Sequence, residues 1–278
     1  MSEVKISAAD VKKLRDQTGA GMMDCKKALA EADGDFEKAI EILRKKGQKL
    51  SLKRAEREAK EGVVIALVSD DRQKGVIVKL SCETDFVAKN QEFIDLTQEL
   101  AKIALSTFPA DAEALQQEKI GDLTIGEKVI EQVGKIGEKI ELAAYEKLEA
   151  PQVVSYIHMG YKAGVVVGLN KAGSDFEGAG KDVAMQVAAM KPVALDKDGV
   201  DQSIIEKEIE IGKEQARMEG KPDAILEKIA MGKLNKFFKE NTLLNQTFVK
   251  DNKLSVKDYL SGLDDELTVV GFRHVTLG

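Results

Sequence analysis

Tryptophan is absent from this 278-residue chain, and aromatic character rests on 4 tyrosines and 9 phenylalanines. So few rings leave little from which to build stacking platforms for single-stranded nucleic acid. Cysteine is scarce as well, with Cys25 and Cys82 far apart and in no CxxC pair. In a chain of this length such usage predicts a reducing compartment, with both thiols serving as small buried apolar groups. The two histidines, His158 and His274, have no second His or Cys at the short spacing of a zinc site, so no metal is expected. Long apolar runs are missing: 63–68 has the length of a strand and cannot cross a bilayer. Met1-Ser2-Glu3-Val4-Lys5 lacks the basic-then-apolar pattern of a signal segment. The expectation is a cytoplasmic chain without membrane contact.

What is present describes a foldable protein, with 43% apolar and 32% charged residues. The length allows two compact units, or one with appendages. Lys and Arg number 42 against 48 Asp and Glu, a net charge of −6. That balance excludes a general nucleic-acid coat, which needs positive charge to displace counterions, but leaves room for a local basic patch. One such patch spans 44–60, where Arg44, Lys45, Lys46, Lys49, Lys53, Arg54, Arg57 and Lys60 face only Glu56 and Glu58. Two readings stand: a solvated helical linker, or a surface facing an acidic partner or RNA.

Residues 1–47 read as three short helices. Ser7 and Asp10 form a weak capping-box pattern, followed by Val11, Leu14 and Thr18 near one face. After Gly19-Ala20-Gly21, Met22, Cys25, Leu29 and Ala32 fall at helical spacing. Adjacent Met22 and Met23 cannot both point at one core, so one of them is a candidate partner contact. Gly34 and Asp35 suggest a left-handed stop and the next N-cap, and a third helix carries Phe36, Ala39, Ile40 and Leu43 inward and ends at Gly47.

From Gly62 the pattern turns to β. Runs at 63–68 and 75–80 around Asp70-Asp71-Arg72 predict an antiparallel hairpin. A helix from Asn90, a mostly helical stretch over 111–132 and a strand through Ile140, Leu142 and Ala144 follow. A second hairpin pairs 153–158 with 164–169, and a helix carrying Val183, Val187 and Met190 ends before Pro192. Two charged helices fill 201–240 around Gly220-Lys221-Pro222, with Ile204, Ile205, Ile209, Ile225, Ile229 and Leu234 as their apolar stripes. A short helix at 255–260 and a strand from Leu267 close the pattern.

This order holds a repeat. Gly75-Val76-Ile77-Val78-Lys79-Leu80 and Gly164-Val165-Val166-Val167-Gly168-Leu169 agree at four of six positions. Each follows a β run and precedes an Asp-Phe pair, Asp85-Phe86 or Asp175-Phe176, and then a helix. The fold class is therefore α+β, with two related halves of antiparallel sheet covered by helices.

Signatures of bond chemistry fail on inspection. Neither cysteine has a local base. Asp196-Lys197-Asp198-Gly199 places its glycine too early for a calcium loop and reads as a turn. In Gly178-Ala179-Gly180-Lys181 the lysine is followed by Asp182, where a phosphate loop needs Ser or Thr. No enzyme and no cofactor are expected.

Two segments are more specific. Val11-Lys12-Lys13-Leu14-Arg15-Asp16-Gln17-Thr18-Gly19-Ala20-Gly21-Met22-Met23-Asp24-Cys25-Lys26-Lys27-Ala28-Leu29 closely resembles the N-terminal signature of the bacterial elongation factor Ts family. Cys82-Glu83-Thr84-Asp85-Phe86-Val87-Ala88-Lys89 resembles the second signature of that family, and Ser155-Tyr156-Ile157-His158 before Gly164 is similar to its second-half hairpin. The likeness covers nearly the whole chain.

The resemblance implies a guanine nucleotide exchange factor for the GTPase elongation factor Tu, met in its GDP-bound and nucleotide-free forms. It implies a ubiquitin-associated-like docking domain over 1–47, a basic linker over 48–61, and core subdomains over 62–150 and 151–278, the latter carrying the 201–240 hairpin. By position it makes Thr84, Asp85, Phe86 and Val87 the segment that intrudes near the partner's magnesium site. Arg15, Met22 and Met23 fall in the docking motif, and His158 where the family has a contact histidine. From the residues alone, Phe86 packing inward with Thr84 or Asp85 as a simple cap is the competing reading; Asp175-Phe176 lacks the Val-Ala-Lys continuation and is assigned that structural role. Many relatives continue past the last strand into a helical tail, whereas this sequence stops at Gly278, so a smaller contact is expected, with the hairpin compensating or mediating self-association. The alternative function is a ribosome- or RNA-associated adaptor using 44–60. Otherwise no direct nucleic-acid contact is expected.

Overall fold

The computed structural model describes residues 6–277; Met1–Lys5 and Gly278, on which the readings of the two chain ends fall, lie outside the described residues. Three helices come first: α1 (Ala8–Thr18), α2 (Met22–Glu31) and α3 (Phe36–Arg54). Ser7 and Asp10 form the full reciprocal capping box, and Asp35 accepts from the amides of Glu37 and Lys38 at the start of α3. Val11, Leu14, Cys25, Leu29 and Ala39 make their shared core.

Gly47 does not end the third helix, which runs on to Arg54. The glycine is a packing residue rather than a stop. A Cβ built on it would lie 3.1 Å from the Ile130 carbonyl oxygen, and one built on Gly134 would lie 3.2 Å from the Gly47 Cα. Two helix backbones approach closely there because neither carries a side chain.

Strands β1 (Glu61–Val68) and β2 (Lys74–Cys82) form the first hairpin, followed by the single-turn helix α4 (Asp85–Ala88) and by α5 (Gln91–Thr107). The stretch expected to be mostly helical over 111–132 is interrupted. Helix α6 (Ala112–Gln117) gives way to β3 (Lys119–Ile120) and β4 (Leu123–Thr124), which pair antiparallel around Gly121 at φ +61° before α7 (Ile125–Ile136) begins. Gly121-Asp122 is a tight-turn signal that overrides the surrounding helical composition. Strand β5 (Glu141–Glu149) then joins the first sheet in the order β1-β2-β5.

The second hairpin joins β6 (Gln152–Ile157) to β7 (Ala163–Leu169) in antiparallel register from Gln152 opposite Leu169 to Ile157 opposite Gly164. Helix α8 (Phe176–Met190), the long pair α9 (Gln202–Met218) and α10 (Asp223–Asn241), the small strands β8 (Thr247–Phe248) and β9 (Asp251–Ser255), helix α11 (Val256–Ser261) and strand β10 (Val269–Thr276) complete the chain. The second sheet runs β10-β7-β6. The two repeat segments thus lie in β2 and β7, each the central strand of a three-stranded sheet. The third strand of each sheet, β5 or β10, arrives only after intervening helices.

Local details adjust the pattern. Gly178-Ala179-Gly180 lies inside α8, where a Cβ on Gly180 would meet Val154 Cγ2 at 2.6 Å; the small residues bring helix and sheet together. In the α9–α10 pair, Leu226 rather than Ile225 turns inward, and Gly212 faces Ala230 at the seam, 3.1 Å from a built Cβ to its Cα. Asp196-Lys197-Asp198-Gly199 is a short 3₁₀ turn whose Asp196 carboxylate accepts from the Lys197 amide and from Asn245.

The chain divides into two compact units. One holds the chain up to Ile65, Val78–Glu146 and Thr276 onward; the other holds Ala66–Ile77 and Lys147–Val275. The second unit has its own core of Val165, Val167 and Leu169 from β7 with Val183 and Val187 from α8 and Leu260 from α11.

Candidate functional site

Strand β2 ends in the buried Cys82, and the chain turns outward through Glu83 and Thr84 into α4. No residue of this four-residue helix is buried. Phe86 sits on it with 83% of its surface exposed, against the usual behaviour of a large ring. Thr84, Asp85 and Val87 are half-buried around it. The inward-packed reading of Phe86 is therefore corrected. Its repeat counterpart behaves in the opposite way: Phe176 packs against the core of the second unit.

With no buried residue to hold α4, polar contacts at its base steady it. Glu138, just past the left-handed Gly137 that ends α7, sends its carboxylate to the turn. Its Oε2 accepts from the Glu83 and Thr84 amides, both at 3.1 Å, and its Oε1 accepts from the Thr84 hydroxyl at 2.7 Å. Glu83 is gripped in return: its Oε1 accepts from the Lys139 amide and from Arg54 Nη1 at 2.6 Å, and its Oε2 from Arg57 at 2.9 Å. Burial pushes the Glu83 carboxyl up, but the Lys139 amide and the two guanidinium groups outweigh it and hold it down at about 2. The Cys82 thiol donates to the Thr84 carbonyl at 3.2 Å. Burial, with the Glu138 charge beside it, pushes this thiol up to about 12, which holds it as the neutral thiol near neutral pH.

Within this segment Asp85 pairs with Lys89 one turn later at 2.6 Å, which lowers the Asp85 carboxyl and raises the Lys89 ammonium. Asn90 closes the segment by capping α5, its side chain accepting from the Glu92 amide.

Arg15 is exposed in the last turn of α1. Met22 and Met23 open α2 with 58% and 63% of their surfaces exposed, so both are free for a contact and Met22 leaves the inward stripe assigned to it. The Gly19 turn that precedes them, at φ +67°, lies against the Lys135 side chain, which a Cβ there would meet at 2.8 Å. Lys135 is held in turn by Glu92 at 2.7 Å. These residues and α4 belong to the same compact unit. His158 belongs to the other, in the β6–β7 turn, exposed, with its Nδ1 3.1 Å from the Tyr156 hydroxyl. Its neighbour Met159 is 82% exposed, a surface methionine that the sequence pattern did not single out. Glu138, Lys139 and Arg54 were missed too, because nothing in local spacing links them to residue 84.

Among the described residues no group of three or more His, Cys, Asp or Glu side chains is placed to hold a metal ion, and no helix is long and apolar enough to cross a membrane. The basic stretch is largely spent internally: Lys45 pairs with Glu41, Lys46 with Asp24, Arg54 and Arg57 with Glu83, and Lys60 with Glu58.

Comparison with known proteins adds to this geometry. The family described as Elongation factor TS matches residues 83–278. Proteins named Elongation factor Ts from Christiangramia forsetii and Amoebophilus asiaticus are each 56% identical over 274 residues, covering 99% and 98% of this chain and 99% of either relative. Another, from Chlorobaculum tepidum, is 44% identical over 285 residues and covers 99% of both chains. A chain that carries both signature segments, one as an exposed aromatic on a clamped turn, and that matches such relatives from end to end belongs to the elongation factor Ts family of bacterial translation elongation factors.

Proposed function

We propose that this protein is a guanine nucleotide exchange factor that promotes GDP release from the translational GTPase elongation factor Tu, acting in the cytoplasm. The carrying observation is Phe86, an almost fully exposed ring on a helix with no buried residue, anchored at its base by charged hydrogen bonds. Such a ring is built to enter another protein. Asp85-Phe86 inserts near the magnesium and phosphate site of the GTPase and displaces the side chains that support them.

No bond chemistry is required. A GTPase that holds GDP at nanomolar affinity binds it by about 12 kcal/mol, much of it through phosphate and magnesium contacts. A factor that prefers the empty pocket weakens nucleotide binding by the same coupling that nucleotide exerts on the factor. Arg15, Met22 and Met23 on the N-terminal helices and His158 in the second unit supply docking energy that offsets the distortion. Self-association through 201–240 is supported by the exposed Met218, Ile225 and Met231; a monomer mass by light scattering at micromolar concentration removes it. Internal pairing of the 44–60 charges argues against the RNA-adaptor alternative, since paired cations release few counterions on binding phosphates.

Release of a fluorescent GDP analogue from elongation factor Tu, with and without this protein, tests the reading. Acceleration that Phe86→Ala removes while the fold stays intact is the expected result. No acceleration by the unaltered protein at micromolar concentration overturns it.

A further inference from the structure

We propose that Glu138 is a positioning residue for the exchange reaction: its carboxylate sets the direction in which Phe86 projects. The inference rests on the exchange reading of the wedge and assigns the residue that makes the wedge rigid. Three observations carry it.

Helix α4 has no buried residue, so packing alone defines its orientation only weakly. An exposed four-residue helix without other support samples many conformations, because isolated helices this short are not stable in water. Next, the Thr84 hydroxyl stands at the N-cap, where threonine ordinarily accepts from a helix amide. Here it donates to Glu138 Oε1 instead, and α4 has no side-chain cap. Thr84 is thus committed to holding the turn to α7 rather than to extending the helix. Finally, the Glu138 carboxylate collects three donors from two consecutive residues, and Glu83 returns a bond to the Lys139 amide beside it. Bonds to an ionised acceptor are stronger and more directional than neutral ones. This exchange of contacts restrains the backbone at Glu83 and Thr84.

The clamp also reaches the docking helices. Arg54, which grips Glu83, is the last residue of α3, and α3 packs against α7 through Gly47 and Gly134. The helix that shares a core with α1 and α2 therefore ends on Glu83, the residue whose own amide Glu138 holds. Docking and wedging act as one body, so binding energy gathered at Met22 and Met23 is delivered at Phe86 rather than lost in a flexible turn.

The test uses the full chain as Glu138→Met and Glu138→Ala, alone and combined with Phe86→Ala, in GDP release from elongation factor Tu. In Glu138→Met the side chain keeps about its length but loses both carboxylate oxygens, so it offers no oxygen to accept from the Glu83 and Thr84 amides or the Thr84 hydroxyl. Both variants are expected to lower the maximal acceleration about tenfold while the half-saturating concentration stays within about threefold, the signature of a loss confined to the transition state. The double variant should be no slower than Phe86→Ala alone, as for residues that act as a unit. Hydrogen exchange on the free protein reads the clamp without the partner: the Glu83 and Thr84 amides should exchange at least about tenfold faster in Glu138→Met, with the cores unchanged. A full maximal rate in a variant whose turn amides have been released overturns the proposal. So does a deficit that multiplies with that of Phe86→Ala, or global loosening in both variants, which would make Glu138 a stability residue only. If the unaltered protein fails to release GDP, the exchange reading falls, while the amide data still report whether Glu138 rigidifies the turn.

Discussion

Glu83 and Glu138 hold each other's backbone. The Glu138 carboxylate accepts from the Glu83 amide, and the Glu83 carboxylate accepts from the amide of Lys139, the residue after Glu138. Two like charges come together here because each is surrounded by donors: two amides and a hydroxyl for Glu138, an amide and two guanidinium groups for Glu83. Anchored this way, a segment with no fully buried residue in its helix keeps a defined shape.

The clamp sets a pH window. Glu83 has its carboxyl lowered from an ordinary 4.5 to about 2 in the folded chain. A depressed folded value means that the clamp's contribution to stability is complete above pH 4.5 and is lost as the pH falls through the folded value. The Glu83 side-chain carbon followed by NMR should titrate near pH 2. A midpoint above 4 would show that the clamp does not form.

The two Asp-Phe pairs should part in opposite directions. Phe86→Ala should change stability by less than about 0.5 kcal/mol, as expected for an exposed side chain, while removing most of the exchange activity. Phe176→Ala should cost about 2 kcal/mol, less than a fully buried ring because Phe176 is half-buried, and should leave exchange by the folded fraction unchanged. Denaturant unfolding beside GDP-release assays separates the two outcomes.

At the α3–α7 crossing, Gly47→Val should destabilise the protein by about 2–4 kcal/mol through overpacking against the Ile130 carbonyl and Gly134. A thermal midpoint within a degree of the parent protein would show that the helices separate without cost.

Met22→Ala and Met23→Ala should leave the melting curve in place, because both side chains are mostly exposed. The half-saturating concentration for exchange should rise about tenfold in the pair, the size of a lost apolar contact in a partner pocket. The maximal rate should hold, since the wedge and its clamp are untouched. A fall in maximal rate with an unchanged half-saturating concentration would place these residues in the exchange step itself.

Much of the fold was legible along the chain because its signals are local. The capping boxes, the hairpin alternation and the central-strand repeat each need only a few neighbouring residues. The 111–132 interruption and the extension of α3 through Gly47 were harder, because a glycine reads alike as a turn, a stop or a close helix contact until its neighbour is known. The same limit governs the site. The contiguous signatures, read as a family resemblance, marked Thr84, Asp85, Phe86 and Val87 and Arg15, Met22 and Met23 as candidate partner contacts. The sequence left open whether Phe86 points in or out, and it was silent on Glu138, which lies 54 residues from Thr84. Tertiary structure decided both. An exposed ring and a shared carboxylate arise from where separate helices end in space, and no periodicity within one segment records that.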